Sequence, residues 1–454
     1  MLQALTIARN TFVDSLRQPV FFIIVAISGI LQVLATWGTN FSMGMASETS
    51  EVTYDDKLLF DVGLSTIFVC GALLAGFIAT AMLSREIERK TVLTVVSKPI
   101  SRASVVIGKY LGVSVAILMA TLMMVAFLLL GLRHGVLSTA ADSLDGPVLL
   151  VACLVAFMGM GIGAWCNFYY GWHFSQTAVL VMFPLSVLGY VGVLAVNPDW
   201  ELQSMAEDFL PQVTLACLCL VMAIMVLTSV ALAASARLGQ VMTIVVCVGV
   251  FVFGLLTNHF VGRQVYDNRP IGQVSFVEPT EVGDERFSEP GDSYRIRFVR
   301  RPAVDLPIGT QIYWGPSATG AGFVVEEFPA SPPEFDEIAD FFDGPQPARV
   351  VVSDNTEMDE RWLTVEIVGR PGLKIDRLPR GQDFVFTKPT SVNPVALGVW
   401  GIVPNMQVFW LVDAVSQNQL IPFGHVILVF GYGLVQIVGF LALAVMLFQT
   451  RDVG

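Results

Sequence analysis

Residues 212–234 read QVTLACLCLVMAIMVLTSVALAA, a run without one Asp, Glu, Lys or Arg. A helix needs about 20 mainly apolar residues to cross a hydrocarbon core roughly 30 Å thick, so this stretch has the length and composition of a membrane span. Seven more blocks share both properties, at about 19–37, 62–83, 110–132, 147–166, 177–197, 240–258 and 423–448. The whole chain agrees with them. Of its 454 residues 54% are hydrophobic and 14% charged, against roughly 25% charged in soluble domains. The net charge of -12 argues against a nucleic-acid binder, which needs a basic face. The expected class is an α-helical polytopic membrane protein of about eight transmembrane helices.

The charges are unevenly spread. Between residues 259 and 397 lie 22 of the 38 acidic residues and 15 of the 23 prolines. Alternation in Tyr294–Phe298, Arg349–Val352, Trp362–Val368 and Phe384–Thr387 predicts strands, and Pro and Gly punctuate them as in a small sandwich or barrel. The domains expected are therefore 1–258, an N-terminal helix plus seven spans; 259–397, a β-rich insert; and 398–454, a pre-helix segment, the last span and a tail. All six cysteines fall in or at the ends of apolar blocks, so the insert has no disulfide. Cys217 and Cys219 point to different sides of a helix and no C-x-x-C occurs, so no metal or other cofactor is expected.

Lys and Arg bias orients the spans. With the N-terminus in the cytoplasm, the inside segments hold Arg9, Arg17, Arg85, Arg89, Lys90, Lys98, Arg102, Lys109, Arg237 and Arg451, while the short outside loops hold Lys57 and Arg133. Both termini are then expected inside, and residues 259–422 outside. The first block follows Arg9 and Arg17 but is too long for a signal-peptide core and lacks an A-x-A site behind it, so it reads as a retained helix.

What the blocks lack also narrows the function. No Asp, Glu, Lys or Arg lies deep inside any block; Asp61 and Lys109 sit at ends. An ion-coupled carrier typically needs a buried carboxylate or a broken helix for its ion. Pro184 in the fifth block reads as a kink of architecture. H-E-x-x-H and G-x-S-x-G are both missing, and the four His are scattered. His173 sits in a predicted turn, Cys166–Gln176, with Tyr169, Tyr170 and Trp172, a cluster better explained by an interfacial aromatic belt than by catalysis. Gly108-Lys109 is not a phosphate loop: Ala103 stands where that motif needs Gly, and Tyr110 where it needs Ser or Thr. Energy for any transport has to come from a separate subunit.

The loop between the second and third blocks carries the functional signal. It runs Ser84-Arg85-Glu86-Ile87-Glu88-Arg89-Lys90-Thr91, then Val92–Val96, then Ser97-Lys98-Pro99-Ile100-Ser101-Arg102, and Gly108-Lys109-Tyr110. Arg85–Val96 reads as a short helix under the membrane, with Glu86 able to pair with Arg89 or Lys90. Pro99 ends it, and Ser101 is an N-cap candidate for the next helix.

Glu86, Glu88, Thr91, the string Pro99-Ile100-Ser101-Arg102 and Gly108-Lys109 together resemble the loop of ABC-2 type permeases, the membrane subunits of one class of ATP-binding-cassette exporters; Lys90 stands where that family carries Gly. The amphipathic N-terminus Leu2–Gln18, the segment Pro404–Asp413 and the ending Phe448-Gln449-Thr450-Arg451-Asp452 are similar too. Six spans are usual there, so the extra pair flanking a β insert is a departure. The resemblance implies a non-enzymatic permease subunit in the plasma membrane, a second permease half (identical or not), and a cytoplasmic ABC ATPase that binds the ATP. Glu86, Glu88, Arg89, Thr91, Pro99, Arg102 and Lys109 would couple the two proteins. Gly159, Gly161 and Gly163 make a small-residue face suited to close helix packing, a candidate contact between halves. A second reading is force transmission to an envelope partner through 259–397 with nothing transported. A third, a static anchor, accounts poorly for eight spans.

Overall fold

The computed structural model describes residues 2–38, 54–82, 101–136, 144–280, 291–302, 304, 306–315, 349–368, 379–388, 390–411, 415 and 421–449. The chain divides into two compact units, Met1–Leu255 with Pro404–Gly454, and Leu256–Val403. Glu86, Glu88, Arg89, Thr91 and Pro99 lie outside the described residues, as does the helix expected over Arg85–Val96.

Among the described residues, eight helices are long and apolar enough to cross a membrane. Helix α1 (Leu2–Leu16) precedes them. The eight are α2 (Pro19–Gly38), α3 (Tyr54–Met82), α4 (Arg102–His134), α5 (Gly146–Tyr170), α6 (Phe174–Leu194), α7 (Pro211–Ser235), α8 (Gln240–Thr257) and, beyond the β-rich segment, a final helix Phe423–Gln449. The chain is a multi-pass membrane protein. In the most apolar window of α7, 89% of residues are buried, against 22% for α5, so α7 is the most enclosed span, packed between α3, α4 and the final helix. Leu220, Ile224, Leu227 and Ala231 of α7 are all enclosed.

Two helix boundaries differ from the sequence expectation for identifiable reasons. Helix α4 starts at Arg102, two turns before the expected 110. Ser101 caps it, its Oγ accepting the Ser104 N–H at 3.1 Å, and both cations in those turns find partners. The turn expected over Cys166–Gln176 is much tighter. Helix propagates through Tyr170; Gly171 then adopts φ +67° and its N–H bonds the Asn167 carbonyl at 3.1 Å, a left-handed stop followed at once by α6.

The second unit is built on a six-stranded antiparallel sheet. Its strands are β2 (Gly272–Pro279), β3 (Ser293–Phe298), β4 (Tyr313–Gly315), β5 (Arg349–Asp354), β6 (Trp362–Val368) and β7 (Phe384–Phe386), in the order β4-β7-β2-β3-β6-β5. Strand β1 (Tyr266–Asp267) pairs separately with β8 (Ser391–Val392). Alternate residues Tyr294, Ile296 and Phe298 of β3 and Leu363, Val365 and Ile367 of β6 form the core. The residues leading into β4 bond the opposite edge, Ile312 N–H to the Val350 carbonyl and Val352 N–H to the Thr310 carbonyl, each at 3.0 Å. The sheet thus curls toward a barrel, which removes an open edge. A nine-residue helix, α9 (Pro394–Ile402), closes the unit, and the final span is α10.

Glu366 of β6 stands between Ser293 and Val351, and burial holds its carboxyl above the usual carboxylate range. Being raised in the fold, its contribution to stability is full below the unfolded value and is lost as pH rises through the folded one. We expect Glu366→Gln to increase hydrogen-exchange protection of β5 and β6 at pH 7 and to leave it unchanged at ~pH 3, where wild type is already protonated. Equal protection at pH 7 would remove this account.

Candidate functional site

The ends of several helices meet on one face of the membrane unit, and small and basic residues hold them there. Helix α1 lies on α4 at Gly108 and Gly112. A Cβ on Gly108 would come within 2.7 Å of the Ala4 carbonyl oxygen, and one on Gly112 within 2.4 Å of that of Ala8. The two backbones therefore touch, which only glycine allows. This Gly108-x-x-x-Gly112 spacing is written in the sequence as a packing signal that the resemblance to a loop motif had absorbed.

Three cations bond carbonyls at the described ends of helices, where the helix dipole places partial negative charge. Lys109 of α4 donates to the carbonyl of Met82, the last residue of α3. Arg102 donates to the Gln449 carbonyl at 2.8 Å, and Arg237, just beyond α7, to that of Leu447 at 3.1 Å. Met82 is thus held by Lys109, and Arg102 is itself tied to the final helix. The α1–α2 elbow is tied in turn to the start of α6: Ser175 Oγ donates to the Leu16 carbonyl at 2.8 Å, Arg17 Nε donates to Gln176 Oε1 at 3.0 Å, and the Phe22 and Phe174 rings meet edge to face at 5.0 Å.

Of the residues singled out by sequence, Arg102 and Lys109 are brought to this face. Gly159 and Gly163 are packed against α6 of the same chain: a Cβ at Gly159 would meet Met182 Cγ at 2.1 Å, and one at Gly163 would meet Ala178 and Phe174 at about 3 Å. Gly161, on the other side of α5, meets nothing within 4 Å. Trp165, Phe168, Tyr169, Tyr170 and Trp172 are exposed around the α5–α6 turn, as interfacial aromatics are. His173 precedes α6 and makes no side-chain cap.

The opposite end of α4 holds a polar cluster that sequence reasoning missed. Arg133 has a side chain only 5% exposed, with Nε 3.3 Å from both Asp145 Oδ2 and Asp208 Oδ2. Its guanidinium also donates to the carbonyls of Val193 and Val196. Asp145 caps α5 through the Val148 N–H at 3.0 Å, and Gln203 donates to Asp208. One planar fork thus binds the end of α4, the start of α5, the end of α6 and the 195–208 loop. Separately, an apolar cavity of about 410 Å³ lies between α2, α4 and α5, walled by Phe22, Ile30, Phe127, Leu130, Leu149 and Met160.

No curated protein and no solved structure matched this chain significantly. The family model of the ABC-2 family transporter proteins matches residues 5–166 of the 454, from α1 into α5, and leaves the β-rich unit outside. That stretch includes most of α1, Gly108 and Gly112 of α4 and the segment between α3 and α4, and the match supports an ABC-2 type permease, a multi-pass membrane component of a transport system.

Proposed function

We propose that this chain is the permease subunit of an ABC exporter, driven by a separate cytoplasmic ATPase that binds the ATP, and that it moves a solute or lipid across the plasma membrane. ABC-2 permeases generally work with such a subunit and dimerise; here the second half is either another copy or a related chain. Both termini and the segment 83–100 then face the cytoplasm. The observation that carries the reading is the knitted helix-end face: α1, α3, α4 and α10 are joined there by Gly108, Gly112, Lys109 and Arg102, and α3 and α4 are the helices that flank in sequence the segment resembling a coupling loop. Force applied to Glu86, Glu88, Arg89, Thr91 or Pro99 would reach α3 through Met82 and α4 through Ser101. From α4 it would pass to α1 and α10, shifting the spans between two states with different affinities for the ATPase.

Glu86 and Glu88 are assigned to basic residues of the ATPase. Glu86→Lys combined with Glu88→Lys is expected to abolish both co-purification of the ATPase and its stimulation, while the permease still folds. Full coupled ATPase activity in that double variant would refute the assignment. The second reading, force transmission to an envelope partner, draws support from the size and independent core of the unit Leu256–Val403. Transport measured in vesicles with purified subunits separates the two.

A further inference from the structure

Helix α9, Pro394-Val-Ala-Leu-Gly-Val-Trp-Gly-Ile402, is as apolar residue for residue as the spanning helices, yet none of its nine residues is buried. Val395 and Ile402 are each 75% exposed, and Leu397 and Val399 are exposed as well. Nine residues rise about 13 Å, less than half the roughly 30 Å of a hydrocarbon core, so α9 cannot be a span. It is nevertheless a well-formed helix. Asn393 caps it by accepting the Val395 and Ala396 N–H groups at 3.1 and 3.3 Å, and Pro394 occupies a first-turn position where no donor is lost.

Its neighbours fix its depth. The helix that begins at Gln240 runs on through a π-turn, Asn258–Gly262, to Val265. Measured from Gln240, that is about 38 Å of helix, longer than the roughly 30 Å core, so 258–265 stand at a membrane surface. Helix α9 is pinned beside those residues. Trp400 Nε1 donates to Asn258 Oδ1 at 3.0 Å, and the Asn393 N–H donates to the Val265 carbonyl at 2.8 Å. The Trp400 and Tyr266 rings lie 6.4 Å apart at right angles, and Phe260 is exposed on the same stretch. Aromatic rings with one polar contact and an apolar body are what an interface selects.

We infer that α9 lies in the bilayer interface at the end of the Gln240 span, with Val395, Leu397, Val399 and Ile402 seated among lipid acyl chains. The occupant of its bare surface is membrane lipid, because the helix is held at the depth where lipid is the surrounding medium.

The test places a photoreactive diazirine amino acid at Val395, and separately at Ile402, in the full-length chain reconstituted in phosphatidylcholine–phosphatidylglycerol vesicles. The comparison site is Ile308, an exposed residue of the β-rich unit. After illumination, phospholipid adducts at 395 and 402 are expected to exceed those at 308 by roughly tenfold, as an interfacial helix requires. Water adducts at 395 and 402 would overturn the inference by exposing α9 to solvent. Cross-links to a second copy of the chain would overturn it by giving the surface to a protein.

Discussion

Arg133→Leu is expected to destabilise the membrane unit by about 3–5 kcal/mol, the range for breaking a buried ion pair from one side. Leucine fits the space but leaves Asp145 and Asp208 without the cation that lies 3.3 Å from each. It also strips the donors from the Val193 and Val196 carbonyls. Thermal unfolding of the purified chain in detergent should show the loss, and proteolysis should quicken within 195–208, the loop that Arg133 holds. Arg133→Lys should recover only part, since an ammonium lacks the fork that reaches two carboxylates and two carbonyls together. Adding Asp145→Asn and Asp208→Asn to Arg133→Leu should recover more, because asparagine removes the stranded charge and still caps α5. A wild-type melting curve for Arg133→Leu would mean that the two carboxylates find water in the fold.

The seat of α1 is the other place where one side chain has a large effect. Gly112→Val would put a branched side chain where even its first carbon comes within 2.4 Å of the Ala8 oxygen and 2.7 Å of Thr11 Cβ. Neither neighbour is the free end of a flexible side chain, so the helices must separate; overpacking of this kind costs about 1–3 kcal/mol, occasionally more. Hydrogen exchange along α1 should rise strongly while α7 stays protected. Gly161→Ala supplies the contrast. Nothing lies within 4 Å of that position, so it should be neutral or stabilising by up to about 1 kcal/mol, the helix-propensity difference. If α1 in Gly112→Val exchanges as slowly as in wild type, the backbone contact is not what holds it.

The spans were readable because hydropathy is a local property that needs only a window of sequence. Strands β3, β5, β6 and β7 were readable for the same reason, their two-residue alternation surviving in Tyr294–Phe298 and Trp362–Val368. Contacts between distant positions were not readable. Arg133 reads as one of two cations in short outside loops, and nothing near it in the chain announces Asp208 or the Val196 carbonyl. Lys109 and Arg102 were singled out as members of a loop motif; that they bond the Met82 and Gln449 carbonyls depends on how α3 and α10 pack beside α4. The glycines show the opposite case. Gly159 and Gly163 announced close packing, but spacing alone does not name the partner, and the partner is α6 of the same chain. Helix α9 was missed because its nine residues straddle the expected domain boundary at 397 and are too few for a spanning window.

Because α3, α4 and α10 enclose nearly all of α7, that helix has little surface left to offer a sibling subunit. Assembly has to be written on the outer ring, on segments such as α2, α5 and α8 whose apolar flanks stay bare. A substitution in α7 that scatters a purified pair into single subunits has therefore undone the architecture of each one first, and reports nothing about where the two halves meet.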